Sequence, residues 1–109
     1  MNFMLGVDGG NTKTLALVAR DDGMILGTGR AGCGDIYGAG SPGAAVAEIE
    51  RAVSAALREA GIQPTDLSAG AFSLAGADWP EDFKLLENAM RARDYGHSIV
   101  IANDALGAL

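Results

Sequence analysis

The feature that most constrains this chain is a short apolar run, Phe3-Met4-Leu5-Gly6-Val7, that stops at a polar, glycine-rich turn, Asp8-Gly9-Gly10-Asn11-Thr12-Lys13-Thr14. A run this short, closed by glycines, reads as a strand buried on both faces rather than as a helix. The turn then stands at the carboxyl edge of a sheet. Leu15 to Ala19 and Met24 to Thr28 read as the next two strands, joined through Asp21-Asp22-Gly23, because an Asp-Gly pair between apolar runs favours a tight antiparallel connection. The first three strands form a meander.

Helical periodicity takes over after residue 40. Ser41 can cap free amides, Pro42 suits the first helical position, and Val46, Ile49, Val53, Leu57 and Ala60 recur at helical spacing before Gly61 supplies the stop. Residues 69–74 read as a fourth strand. A second helix begins near Asp78 to Pro80, with Trp79, Phe83, Leu86 and Met90 as its buried stripe. Ile99 to Ala102 reads as a fifth strand, after which Asn103-Asp104 can cap a third helix opening with Ala105 and Leu106. The order βββαβαβ(α) predicts an α/β fold, one five-stranded mixed sheet covered by helices, and 109 residues suit a single domain.

Charge narrows the function classes. A net charge of −6 gives no basic footprint, so no nucleic-acid partner is expected, and any phosphate chemistry must use local charge. The single Cys33 cannot form an internal disulfide, and no apolar run reads as a signal peptide or membrane span. No membrane partner is expected, and a cytoplasmic setting fits.

Local charge gathers at the first turn. Its glycines let backbone amides approach a phosphate while Lys13 supplies a positive charge, which makes Gly9, Gly10, Asn11, Thr12 and Lys13 candidate phosphate-binding residues. The spacing is not that of a Walker loop, and the following element reads as a strand. Asp8 would repel phosphate unless a divalent cation sat between them, so it implies magnesium. At the end of the fifth strand, a carboxylate at Asp104 could take the proton of a substrate hydroxyl as its oxygen attacks phosphorus. Read singly, the loop is also an ordinary hairpin turn and Asn103-Asp104 an ordinary helix cap. His97 reads as a solvated turn residue, Cys33 as an unreactive thiol, and Glu81-Asp82 as acids favouring a helix N-terminus.

Taken together, residues 5–14, Leu74-Ala75-Gly76-Ala77-Asp78 and Ile101-Ala102-Asn103-Asp104-Ala105 resemble the N-acetylglucosamine kinase-like branch of the actin and sugar kinase superfamily. That branch includes the BadF/BadG/BcrA/BcrD ATPases, and the resemblance covers the entire chain as a first lobe. It implies a ribonuclease H-like (actin-like ATPase) lobe, with ATP clasped against a second lobe absent from this chain. It also implies Asp8 as the magnesium-organising carboxylate, Gly10 to Lys13 as phosphate loop and Asp104 as catalytic base. The sugar contacts would be Asp35, Gly76, Asn103 and Asp104, with Asp35 standing in the 32–38 sugar loop where Asn is more usual. The implied reaction is ATP-dependent phosphorylation of a sugar hydroxyl, on an amino sugar such as N-acetylglucosamine or glucosamine. A lone lobe would be inactive until a second lobe or a homo-oligomer completed the cleft. Two other readings stay open: an ATPase that activates a reductase or dehydratase, and a non-catalytic binding module.

Overall fold

A computed structural model describes residues 2–103. Its elements are β1 (Phe3–Gly9), β2 (Thr14–Arg20), β3 (Ile25–Ala31), α1 (Pro42–Ala60), a 3-10 turn (Pro64–Asp66) that the sequence did not suggest, β4 (Leu67–Leu74), α2 (Pro80–Ala92) and β5 (Ser98–Asn103). Asp104 and the expected third helix lie outside the described residues. The strands form one sheet in the order β3-β2-β1-β4-β5. β1 is antiparallel to β2 and β2 to β3, whereas β4 runs parallel to both β1 and β5. This is the mixed sheet expected, and it brings the ends of β1, β4 and β5 to one edge.

Register divides the sheet into two unlike faces. Leu5 and Val7 of β1 lie level with Val18 and Ala16 of β2 and with Gly70 and Phe72 of β4, and these residues face the core. α1 lays Ile49, Ala52, Val53 and Ala56 over that face, each fully buried, and α2 adds Leu86 and Met90. Burying each of the larger side chains contributes about 1.5–3 kcal/mol. Arg93, the cap residue after α2, bonds Glu50 of α1 at 2.8 Å, tying the two helices over the same side.

The opposite face is open. Met4, Leu15, Leu17 and Val100 are 40%, 39%, 39% and 62% exposed, which corrects the expectation that β1 is covered on both sides. Its continuous apolar run reflects two apolar faces, of which the described residues cover one.

The helix ends form as their chemistry dictates. The Ser41 hydroxyl accepts from the Ala44 N–H at 3.0 Å, and Gly61 stops α1 in the left-handed region at φ 73°. Trp79 departs from expectation: it is 61% exposed and does not join the buried stripe. It sits at the cap before Pro80 with extended backbone, φ −113° and ψ 155°, so helical spacing does not govern where its ring points.

Candidate active site at the carboxyl edge of the sheet

Strand register sorts the predicted site residues before any side chain is considered. Asp8 pairs with Leu15 and Ser73 and so shares the open face, whereas Asn103 pairs with Leu74, level with Gly9, on the helix-covered face. The two predicted groups therefore lie at the same edge but on opposite sides of the sheet. Between them runs the 10–13 turn that joins β1 to β2.

That turn is built for rigidity at its base and for donation at its tip. The Gly10 N–H donates to the Lys13 carbonyl at 2.8 Å, and the Ala75 N–H donates to the Gly9 carbonyl at 2.8 Å. Gly10 therefore closes the turn and its amide is already used. Among the described residues, the amides of Asn11, Thr12 and Lys13 donate to no protein group, and all three residues are exposed. A run of such N–H groups on the turn that carries Lys13 fits a phosphate. Thr14 turns the other way. It is fully buried and its hydroxyl donates to the Gly32 carbonyl at 2.8 Å, so it braces the next loop instead of extending the phosphate-facing set.

The second loop, residues 32–40, is packed directly on the first. The Gly34 N–H donates to the Gly10 carbonyl at 3.0 Å, and a Cβ on Gly34 would stand 2.5 Å from the Thr14 hydroxyl and 3.2 Å from the Gly9 Cα. Only glycine allows that approach. Half-buried Cys33 points its Sγ at Asn11 Oδ1, 3.8 Å away. Asp35 lies against Gly76, which has φ 90° and whose absent Cβ would collide with Asp35 Oδ1. That same oxygen accepts the Tyr37 N–H at 2.8 Å, while the Asp35 carbonyl accepts from Gly38 and Ala39 at 3.0 and 2.9 Å. Asp35 thus holds its own loop. We expect Asp35→Asn to keep the fold, since an amide oxygen accepts the same bond, and Asp35→Ala to lower the thermal midpoint by a few degrees through a loss of about 1 kcal/mol. Equal midpoints for the two variants, measured by calorimetry, would contradict this role.

The third segment comes from β4 and β5. Asn103 Nδ2 donates to Asp78 Oδ1 at 2.6 Å and to the Ala77 carbonyl at 3.1 Å, which fixes the amide at the end of β5. Next to it lies a bond that sequence reading did not foresee: the Tyr37 hydroxyl donates to Asp82 Oδ1 at 2.7 Å across 45 positions. Asp82 also accepts the Trp79 and Asp78 N–H groups at 2.9 and 3.3 Å, so it caps α2 as expected but is far more engaged than a surface acid. The bond to Tyr37 holds the Asp82 carboxyl below its ordinary range, and the same bond, with burial, pushes Tyr37 up to about 12. Asp82's contribution is present above the ordinary carboxyl pKa and fades as pH falls through the lowered one. Tyr37's is present below 10.0 and fades as pH rises through about 12. The contact therefore persists throughout the neutral range.

Asp8 is exposed, and no cluster of three or more His, Cys, Asp or Glu forms among the described residues. Magnesium is commonly held by one or two carboxylates with phosphate and water oxygens, which a single Asp8 can satisfy. A concavity of about 1010 Å³ lies on the open sheet face, lined among others by Gly6, Leu15, Leu17, Ala71, Val100 and Asp8. Its walls are mostly apolar, with Thr28, Arg30 and Ser73 also lining it, and the undonated amides and Lys13 stand at the loops, so the candidate site is placed there. His97 is exposed at the opposite edge of the sheet, as expected of a solvated turn residue. No described helix is long and apolar enough to cross a membrane.

Known proteins resemble the chain as follows. A sequence profile for the BadF/BadG/BcrA/BcrD ATPase family matches residues 5–109. The solved structure of the "putative N-acetylglucosamine kinase" of Porphyromonas gingivalis superposes with a TM-score of 0.71 at 22% identity, covering 93% of this chain and 34% of that one. A Chromobacterium violaceum protein carrying the same description gives 0.62 at 19% identity, covering 95% and 35%. Component A of (R)-2-hydroxyglutaryl-CoA dehydratase from Acidaminococcus fermentans gives 0.59 at 16% identity, covering 93% and 31%. These likenesses show the fold, and the chain spans about a third of the length of each. No curated protein is similar in sequence.

Proposed function

The chain belongs to the BadF/BadG/BcrA/BcrD ATPase family, and from that premise we propose that it is the first lobe of an ATP-dependent kinase acting on a sugar hydroxyl, with N-acetylglucosamine or glucosamine as the favoured substrate class. The observation that carries this reading is the bracing of two loops at one sheet edge: a turn with three undonated amides and Lys13, and a polar loop held beside it by the Gly34–Gly10 and Thr14–Gly32 bonds. One loop suits a phosphate and the other a polyhydroxylated acceptor. Their fixed spacing suits transfer between them, because phosphoryl transfer depends chiefly on positioning and charge.

In this reading Asn11, Thr12 and Lys13 donate to ATP phosphates, while Gly9 and Gly10 hold the turn close enough for them to do so. Asp8 would hold magnesium, which supplies positive charge to the phosphates. Asn103 and the Asp35 loop, backed by Gly76, orient the sugar, and Asp104 takes the proton from its attacking hydroxyl. A second lobe, or a second copy, completes the cleft. A second reading, an ATPase that activates a reductase or dehydratase, stays in view through the likeness to component A of the A. fermentans dehydratase.

Lys13 gives the test of the phosphate loop. In the complete gene product, Lys13→Ala is expected to raise the KM for ATP about 10- to 100-fold, as loss of a charge-assisted hydrogen bond would. The sugar KM should stay within about threefold. Steady-state kinetics with each substrate varied would show this, and an unchanged ATP KM would remove Lys13 from the site.

A further inference from the structure

We propose that the Tyr37–Asp82 hydrogen bond is a latch that holds the 32–40 loop against the start of α2 in its substrate-facing conformation, so that both residues are positioning residues for sugar binding. The proposal rests on the kinase reading above and deepens it.

Four observations carry the inference. First, the loop is anchored unevenly. Its first half is fixed by the Gly34–Gly10 and Thr14–Gly32 bonds and by Ile36, 4% exposed in the core, whereas Tyr37, Gly38 and Gly40 are exposed and Gly38 abuts the Asn11 side chain. Second, Tyr37 is 61% exposed, so its ring buries little and packing gives no reason for an aromatic residue there. Its hydroxyl does: the bond to Asp82 ties the outer half of the loop to a different element. Third, Asp82 is 5% exposed and is satisfied by neutral donors, and among the described residues no cation pairs with it. A carboxylate so placed depends on each donor, since a buried acceptor that loses one keeps its desolvation cost. Fourth, the Tyr37 N–H is held by Asp35 Oδ1, which abuts Gly76. Asp82, Tyr37, Asp35 and Gly76 therefore form a continuous chain from α2, through the loop, to the end of β4. Opening it at the phenol loosens the loop proposed to orient the sugar, while the Gly34–Gly10 and Thr14–Gly32 bonds still brace the phosphate turn.

Tyr37→Phe in the complete gene product tests this, because it removes the hydroxyl and keeps the ring. Hydrogen exchange at the amides of residues 37–39 should accelerate about tenfold, and the Kd for N-acetylglucosamine by calorimetry should rise about 10-fold or more, the range for a hydrogen bond to a charged group. The KM for ATP should stay within about twofold, which a general loss of structure would not allow. Asp82→Asn should act in the same direction, and the double variant should bind sugar no more weakly than the worse single one, because both changes break the same contact. Parent-like exchange or parent-like sugar affinity in Tyr37→Phe overturns the latch. A parent protein with no affinity for any hexosamine overturns the kinase reading itself and the latch with it, a result visible before any variant is made.

Discussion

Asp104→Asn in the complete gene product is expected to lower sugar-dependent ADP release about 10²- to 10⁴-fold, the range for loss of a general base. Asp104 follows Asn103, whose amide is fixed by Asp78 and the Ala77 carbonyl at the end of β5. The substitution is informative because Asn caps helices as well as Asp does, so a purely structural Asp104 would survive it. Sugar and ATP affinities should change by less than about threefold, placing the loss in the chemical step. Near-parental turnover would reduce Asp104 to a helix cap.

The largest stability effect is expected where β3 crosses α1. Gly27 and Gly29 face Ala56 and Ala52, and a Cβ on Gly29 would drive into the Ala52 carbonyl, on helix backbone that cannot yield as a flexible side chain can. Overpacking a core commonly costs about 1–3 kcal/mol, and Gly29→Val adds two further carbons beyond the colliding Cβ. At about 4–8 °C per kcal/mol, a loss of about 3 kcal/mol lowers the thermal midpoint by roughly 12–24 °C. Thr28→Val, at the neighbouring exposed position, should change it by no more than about 4 °C. Similar midpoints for the two variants would show that α1 does not pack on β3 as described.

The element order was legible because its signals are local. Ser41-Pro42 and Gly61 bracket α1 with side-chain and backbone chemistry readable within a few residues, and Asp22-Gly23 turns β2 into β3 with Gly23 at φ 89°. Burial was harder to read. Met4, Leu15, Leu17 and Val100 are as apolar as their buried neighbours, so nothing in the pattern distinguished a face covered by helices from one left open. Trp79 fitted the helical spacing of Phe83 and Leu86, but Pro80 starts the helix one residue later and frees the indole from the stripe.

The site was legible in part, and for the same reason. The 10–13 turn and Asn103 were found because each closes an apolar strand. Their division of labour was hidden: whether Gly10 offers its amide, or Thr14 its hydroxyl, depends on contacts with Lys13 and Gly32 that only the folded turn makes. Asp82 bore the mark of an acid in a first helical turn, and no local feature pointed to a tyrosine 45 positions earlier. Asp78 was read as part of a motif and emerges as the partner that fixes Asn103.

The account's central claim concerns where the γ-phosphoryl group of ATP goes. Incubating the complete gene product with γ-labelled ATP, magnesium and N-acetylglucosamine or glucosamine, then separating sugar phosphate from inorganic phosphate, follows that group directly. The account predicts that the label appears on the sugar in amounts matching ADP formed, and that omitting sugar nearly abolishes ADP release. Label found only as inorganic phosphate, released at the same rate with and without sugar, would contradict it and identify an ATPase instead.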